Sequence, residues 1–487
     1  MEVKSYRDDI KAFKGKSISL MVYEGDMRPV GRLSKGLANR VRKVLEVENF
    51  KGKEGEILKV PTVGLSVSAV YLVGLGKKEK VDEDTYRRAI ANLVKRLKKD
   101  KVDSTLVITP RRGDITEEIS KALTEGAILG SYSFDKYKSK KEDSFELKEL
   151  LIHRGEDKGI EKGKIFAEAQ NYTRNLVNEP GNVINPVTLA EEAQRLAKEY
   201  GLECKVYDEK EIQEMGMMAL YSVGKGSATP PRFIHLIYKP EGKPKEKIAI
   251  VGKGLTFDSG GLNIKPGDYM RNMKMDKSGA CAVLGIMRAV AQLKPQVEVH
   301  GIIAAAENMP DGNAYRPDDV IRAKNGKYIE IDNTDAEGRV TMADSLSYAS
   351  ELKPDKIIDM ATLTGACMVA LGEYTAGLFT NSPDFGQEIK EIAKRTGERV
   401  WELPMDDERL RKKIKNTVAD VLNTGGRYGG AITAAMFLEE FVGEGIKWVH
   451  LDIAGPAWSK EDYAYYTKGG TGFGVRTCLE YIMKVSG

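Results

Sequence analysis

Short apolar runs alternate with amphipathic stretches along the whole chain. Residues 17–23 (SISLMVY) and 69–73 (AVYLV) are β-type runs. Residues 83–98 carry apolar positions at helical spacing, and residues 104–108 (STLVI) read as a strand again. Residues 135–143 are polar and lysine-rich, which signals a loop. Residues 159–176 keep helical spacing until Asn178-Glu179-Pro180-Gly181 breaks it. Beyond that point strands and helices alternate. Residues 189–200, 279–292 and 340–352 predict helices, and residues 247–251, 297–306, 356–360 and 448–453 predict strands. Residues 324–331 contain Asn325-Gly326, a hairpin signal. The pattern predicts an α/β protein of two domains, each a mixed or mostly parallel sheet flanked by helices. An N-terminal α/β domain is expected over 1–158, a linker helix over 159–176 and a larger domain over 177–487. In such sheets ligands bind beyond the C-terminal strand ends.

Composition narrows the function. With 487 residues, 41% hydrophobic and 30% charged, the chain reads as globular and too long for one core. It has no apolar run of about 18 residues, and its N-terminus, MEVKSYRDDIKAFKGK, lacks the apolar core of a signal peptide. A cytoplasmic protein is therefore expected. Cys204, Cys281, Cys367 and Cys478 stand far apart and form no CxxC pair, so reduced thiols are expected. His153, His235, His300 and His450 are too scattered for an HExxH site, so any metal would need oxygen ligands. Abundant Lys and Glu with sparse Gln fit a thermophilic source. A net charge of +4 makes no case for nucleic acid. The phosphate-loop, dinucleotide and GxSxG signatures are absent.

Three carboxylate-bearing segments stand near predicted strand ends. Gly254-Leu255-Thr256-Phe257-Asp258-Ser259-Gly260-Gly261 presents one carboxylate among glycines, with Lys253 before it and Lys265 after it. Met270-Arg271-Asn272-Met273-Lys274-Met275 leads to Asp276. Asn333-Thr334-Asp335-Ala336-Glu337-Gly338-Arg339 lies between the hairpin and a helix, and in an extended loop Asp335 and Glu337 would point the same way. Singly, each Asp is explained by a turn or a helix cap, and each lysine by solvated charge. Together they also fit a divalent-metal site, and the pattern alone leaves both readings open.

The segment Asn333–Arg339 resembles the signature of the leucyl aminopeptidase (cytosol aminopeptidase) family. Residues 251–261, 178–180, 361–366, 429–435 and 452–455 are similar to that family as well, strongly over 170–487 and faintly before 150. The resemblance implies two divalent metal ions per subunit, zinc or manganese first and cobalt or magnesium next. Asp258 and Glu337 would bridge them, Asp335 would complete one site, and Lys253 and Asp276 the other. It implies hydroxide attack between the metals, an oxyanion stabilised by Lys265, and a bicarbonate base held by Arg339. Asp276 would also bind the substrate amine, and Met273, Thr362, Gly365 and Ala454 would line a Leu-preferring pocket. Lys277 departs from the Met common in relatives, and Ala457 from a larger apolar residue. The implied activity is release of N-terminal residues from short peptides by a homohexamer. Some bacterial relatives bind DNA, for which residues 87–101 and 136–141 are the basic candidates, although a solvated helix face or loop explains them as well.

Overall fold

A computed structural model describes residues 1–111, 113–140 and 145–487. The end of the lysine-rich segment 135–143, and Lys141 of the basic stretch 136–141, lie outside the described residues. The chain forms two compact units, Met1–Glu168 with Glu461–Thr467, and Ala169–Lys460 with Lys468–Gly487. The residues expected to be helical over 159–176 lie in the 22-residue helix Asp157–Asn178, and the division between the units falls within it at 168/169.

The first unit is built on a six-stranded sheet. Its strands are β1 (Glu2–Tyr6), β2 (Ser17–Val22), β3 (Ile57–Pro61), β4 (Ala69–Gly74), β5 (Ser104–Ile108) and β6 (Glu149–His153), in the order β1-β6-β5-β2-β4-β3. All neighbours are parallel except the edge pair β3–β4. Side chains alternate across the sheet, so each strand feeds two cores. Val70 and Leu72 enter one, while Tyr71 and Val73 enter the other with the helices Glu83–Lys99 and Glu117–Gly130. The DNA-binding expectation is not supported here. All three arginines of 87–101 pair with carboxylates, Arg87 with Asp84 and Glu125, Arg88 with Glu54, and Arg96 with Asp100.

The second unit carries an eight-stranded sheet. Its strands are β7 (Glu203–Tyr207), β8 (Arg232–Tyr238), β9 (Lys247–Asp258), β10 (Glu298–Asn308), and, after the three-stranded sheet described next, β13 (Lys356–Ala361), β14 (Ala376–Thr380), β15 (Val400–Glu402) and β17 (Lys447–Asp452). The predicted hairpin is β11 (Val320–Arg322) with β12 (Tyr328–Glu330), joined by β16 (Val421–Leu422) in a small sheet of its own. The large sheet has the order β15-β14-β17-β13-β9-β10-β8-β7, with a parallel centre β17-β13-β9-β10. Its middle strands are buried on both faces, as parallel sheets usually are.

Two boundaries differ from the sequence expectation. The strand expected over 247–251 continues to Asp258, so Asp258 ends a strand instead of lying in a loop. Gly252 and Gly254 within the strand permit close packing. A Cβ on Gly252 would lie 2.5 Å from the Gly279 carbonyl oxygen, on the helix Ser278–Leu293 that crosses the sheet. The helix expected from 340 is Glu337–Glu351, so Glu337 and Arg339 belong to its first turn.

At the antiparallel side of this sheet, His235 on β8 and His300 on β10 share a hydrogen bond of 2.8 Å, and the Tyr348 hydroxyl lies 3.0 Å from His235 Nδ1. Burial, aided by His300, pushes the His235 imidazole down to about 3. An unfolded chain then binds more protons than the folded one once pH falls below the ordinary histidine value, so this stability is present above about 6.5 and lost toward about 3. The expected outcome is a thermal midpoint that falls from pH 7 to pH 4. In His235→Gln the fall in unfolding free energy with pH should be shallower by up to about 1.4 kcal/mol per pH unit. Calorimetry across the series checks it, and equal slopes would refute it.

Candidate metal centre

Several elements deliver the charged candidates to the C-terminal end of the parallel sheet. Lys253 lies inside β9 and Asp258 at its end. Asp276 sits on the 3-10 turn Met273–Lys277, and Glu337 and Arg339 on the first turn of the helix Glu337–Glu351. Ligand oxygens of Asp258, Asp335 and Glu337 all lie within 4.8 Å of one another. Lys253 Nζ lies 2.9 Å from Asp276 Oδ1, 2.8 Å from Glu337 Oε1 and 2.9 Å from the Thr362 carbonyl oxygen. Gly338 makes that reach possible, because a Cβ there would stand 2.6 Å from Lys253 Nζ. Lys265 Nζ lies 2.7 Å from Asp258 Oδ2 and 2.6 Å from Asp335 Oδ1. Arg339 donates from Nη1 to the Asn423 carbonyl, while its buried Nε has no hydrogen-bond partner.

Lys253, Asp258, Asp276 and Glu337 are buried and Asp335 is exposed. Burial, followed by the charge of Asp258, pushes the Glu337 carboxyl up to about 8. Burial also raises Asp276 and Asp335 above the usual carboxylate range. For Lys253 and Lys265 burial opposes the ammonium, but the surrounding carboxylates outweigh it and both hold their protons more tightly than usual. Burial lowers the Arg339 guanidinium to about 10. Three carboxyls pushed upward by burial and crowding, those of Glu337, Asp276 and Asp335, together with Asp258, form a donor set suited to a hard or borderline divalent cation, and Asp276 Oδ2, 2.8 Å from Lys253 Nζ, receives no well-directed hydrogen bond.

The profile described as "Cytosol aminopeptidase family, catalytic domain" matches residues 171–479, and that of the family's N-terminal domain matches residues 20–141. The chain belongs to the cytosol aminopeptidase family. It is a peptidase, a hydrolase of peptide bonds. It is 84% identical to a probable cytosol aminopeptidase of Aquifex aeolicus (strain VF5), over 100% of this chain and 99% of that one. It is 54% identical to one of Persephonella marina (strain DSM 14350 / EX-H1), over 99% of each. Among solved structures it is similar to the bottromycin maturation enzyme BotP in complex with Mn (TM-score 0.87, 35% identity, 97% of this chain and 100% of that one). It is also similar to a mutant of tomato leucine aminopeptidase (TM-score 0.88, 35% identity, 99% of this chain and 96% of that one).

The charged residues of this aminopeptidase-family site are held by buried partners, of which Asn308 and Asn423 lie outside every segment singled out in the sequence. Asn308, the last residue of β10, donates from Nδ2 to Asp258 Oδ1 (2.8 Å) and to the Thr334 carbonyl (2.9 Å), tying two carboxylate segments together. Thr334 donates from Oγ1 to the Gly260 carbonyl at 2.7 Å. Asn423 accepts from the Asp332 and Asn333 amides and receives Arg339 on its carbonyl. Asp452, at the end of β17, accepts from the amides of Leu363, Thr364 and Ala454, which shapes the stretches that contain Thr362, Gly365 and Ala454. Thr362 donates from Oγ1 to Asp276 Oδ1 at 2.6 Å. Met273 lines a depression of about 420 Å³ with Pro180, Gly181, Phe257 and Lys274 among others. Asn308 and Asp452 did carry one legible signal, as polar residues that close buried apolar strands where ligands bind.

Asn308→Ala leaves Asp258 Oδ1 with only the Gly260 amide. Removing such an outer partner of a metal ligand typically weakens metal affinity by about 10- to 100-fold. That loss is the expected outcome in a calorimetric Mn²⁺ titration of the variant, and wild-type affinity would refute it.

Proposed function

We propose that this chain is a metal-dependent exopeptidase that releases N-terminal, preferably leucine-like, residues from short peptides. The observation that carries the reading is the convergence of Asp258, Asp335 and Glu337 in one cluster, with Lys253 linking Glu337 to Asp276. Asp258 and Glu337 would be shared by two divalent ions, Asp335 completing one coordination set and Lys253 and Asp276 the other. Zinc or manganese suits these oxygen and amine donors, with cobalt or magnesium next, and BotP is described in complex with Mn. Bound there, the ions would supply Lewis-acid polarisation and a water of lowered proton affinity.

The chain's own residues supply the rest. An ammonium has no lone pair, so Lys253 must release its proton before it can act as a ligand. Its carboxylate neighbours now hold that proton, so metal and proton compete for the site and loading weakens as pH falls. Asp276, fixed by the Thr362 hydroxyl, would take the substrate's free α-amine, which restricts cleavage to the N-terminus. The Lys265 ammonium would stabilise the oxyanion that develops on the scissile carbonyl. Arg339 stays protonated and cannot be the base. Its partnerless Nε fits an anion, and bicarbonate held there would supply the proton acceptor. Met273, Thr362, Gly365 and Ala454 would receive the first side chain, favouring leucine by apolar burial. A cytoplasmic homohexamer completes the reading. The relatives' name, cytosol aminopeptidase, supports the location, and among the described residues no helix is long and apolar enough to cross a membrane.

Turnover of leucyl-glycine is expected to vanish on chelation, to return with Mn²⁺ or Zn²⁺, and to be absent for the N-acetyl dipeptide. Comparable cleavage of the blocked peptide would overturn the exopeptidase reading. Lys265→Ala is expected to lower kcat by about two to three orders of magnitude, the usual effect of losing one oxyanion donor. Elemental analysis should still find both metals in that variant, and loss of a metal would reassign Lys265 as a ligand.

A further inference from the structure

Asp276 is carried between two lysines that grip the end of a helix. Lys277 is fully buried. Its Nζ lies 2.6 Å from the Lys274 carbonyl, 2.9 Å from that of Glu179 and 3.4 Å from that of Val177. Lys274 Nζ donates to the intervening carbonyl, that of Asn178, at 2.6 Å. The helix Asp157–Asn178 ends here. Its last carbonyls have no intrahelical partners and carry the negative end of the helix dipole, which favours cations.

The donor count is complete. An ammonium offers three N–H groups and accepts nothing, and Lys277 meets three main-chain carbonyls. One belongs to the last turn of the helix, one to Glu179 just beyond it, and one to its own turn. The pair of lysines therefore binds the turn Met273–Lys277 to the end of the helix within the second unit. The turn begins at Asn272, which holds a left-handed φ of 70°. Between the lysines, Asp276 projects to Lys253 and Thr362. Burying a lysine whose hydrogen-bond partners are all uncharged carbonyls is costly, and a fixed position for the turn is what that arrangement provides.

We propose that Lys277, supported by Lys274, is a positioning residue that fixes the Asp276 carboxylate for the substrate amine and for the metal it would share with Lys253. The inference rests on the role of Asp276 given under Proposed function. The test compares wild type, Lys277→Met, Lys277→Gln and Lys274→Met as metal-loaded full-length proteins. It reads KM and kcat for leucyl-glycine, Mn²⁺ affinity by calorimetry, and the thermal midpoint. In Lys277→Met, KM is expected to rise about tenfold with a much smaller change in kcat. One of the two Mn²⁺ affinities is expected to fall by about 10- to 100-fold. Lys277→Gln, which keeps two N–H donors, should recover part of both losses, and Lys274→Met should show a smaller loss in the same direction. Wild-type KM and Mn²⁺ affinity in Lys277→Met, with only a lowered midpoint, would overturn the proposal. Should Lys277→Met not fold, unchanged KM and Mn²⁺ affinity in both Lys277→Gln and Lys274→Met would overturn it equally. Failure of the Asp276 assignment itself is visible in wild type alone, as cleavage of the N-acetyl dipeptide.

Discussion

Three buried carboxylates, Asp258, Asp276 and Glu337, share one end of a parallel sheet with the exposed Asp335. Each charge taken out of water loses solvation worth several kcal/mol, and neighbours of the same sign raise the penalty further. Such a cluster persists only with compensating cations. Lys253 and Lys265 supply them from within the chain, each lying against two carboxylates. The raised proton affinity of Glu337 shows that the compensation is incomplete. A site in that condition has an electrostatic reason to bind divalent cations.

Much of the surrounding packing serves to bring these groups together. Lys253 can pass the helix Glu337–Glu351 because Gly338 has no side chain, and β9 can lie close to the helix Ser278–Leu293 because Gly252 and Gly279 meet there. Neutral groups then fix orientation without adding charge. Asn308 holds Asp258 and Thr334, Thr362 holds Asp276, and Asn423 joins Arg339 to the Asp332–Asn333 backbone. Bonds of this kind favour the positions in which the carboxylates converge, where repulsion alone would spread them.

The alternation of strands and helices and the charged members of the site were legible because both leave marks in sequence. Apolar periodicity follows which faces are buried, and Asp and Lys among glycines are unusual at strand ends. Other features were misread for physical reasons. The strand expected to end at Val251 continues through Gly252 and Gly254, since the local signal for a turn and for close packing is the same residue. The helix begins at Glu337, three residues before the apolar spacing that predicts it, because Glu337 and Arg339 are polar residues buried against the site. Asn308 and Asn423 leave no such mark, since a single amide has no periodicity, and its value lies in partners remote along the chain.

The sequence by itself determined the two α/β sheets, the reserve of carboxylates and lysines at strand ends, and the absence of CxxC and HExxH motifs. Those properties depend on residue type and local spacing. Tertiary structure decided that Asp258, Asp335 and Glu337 meet within 4.8 Å, that Lys253 reaches Asp276 and Glu337 together, and that Lys277 lies buried against a helix end. Each of those contacts joins elements separated in the chain. Distance between such elements is set by sheet order and by how closely helices can approach, and local pattern carries no record of either.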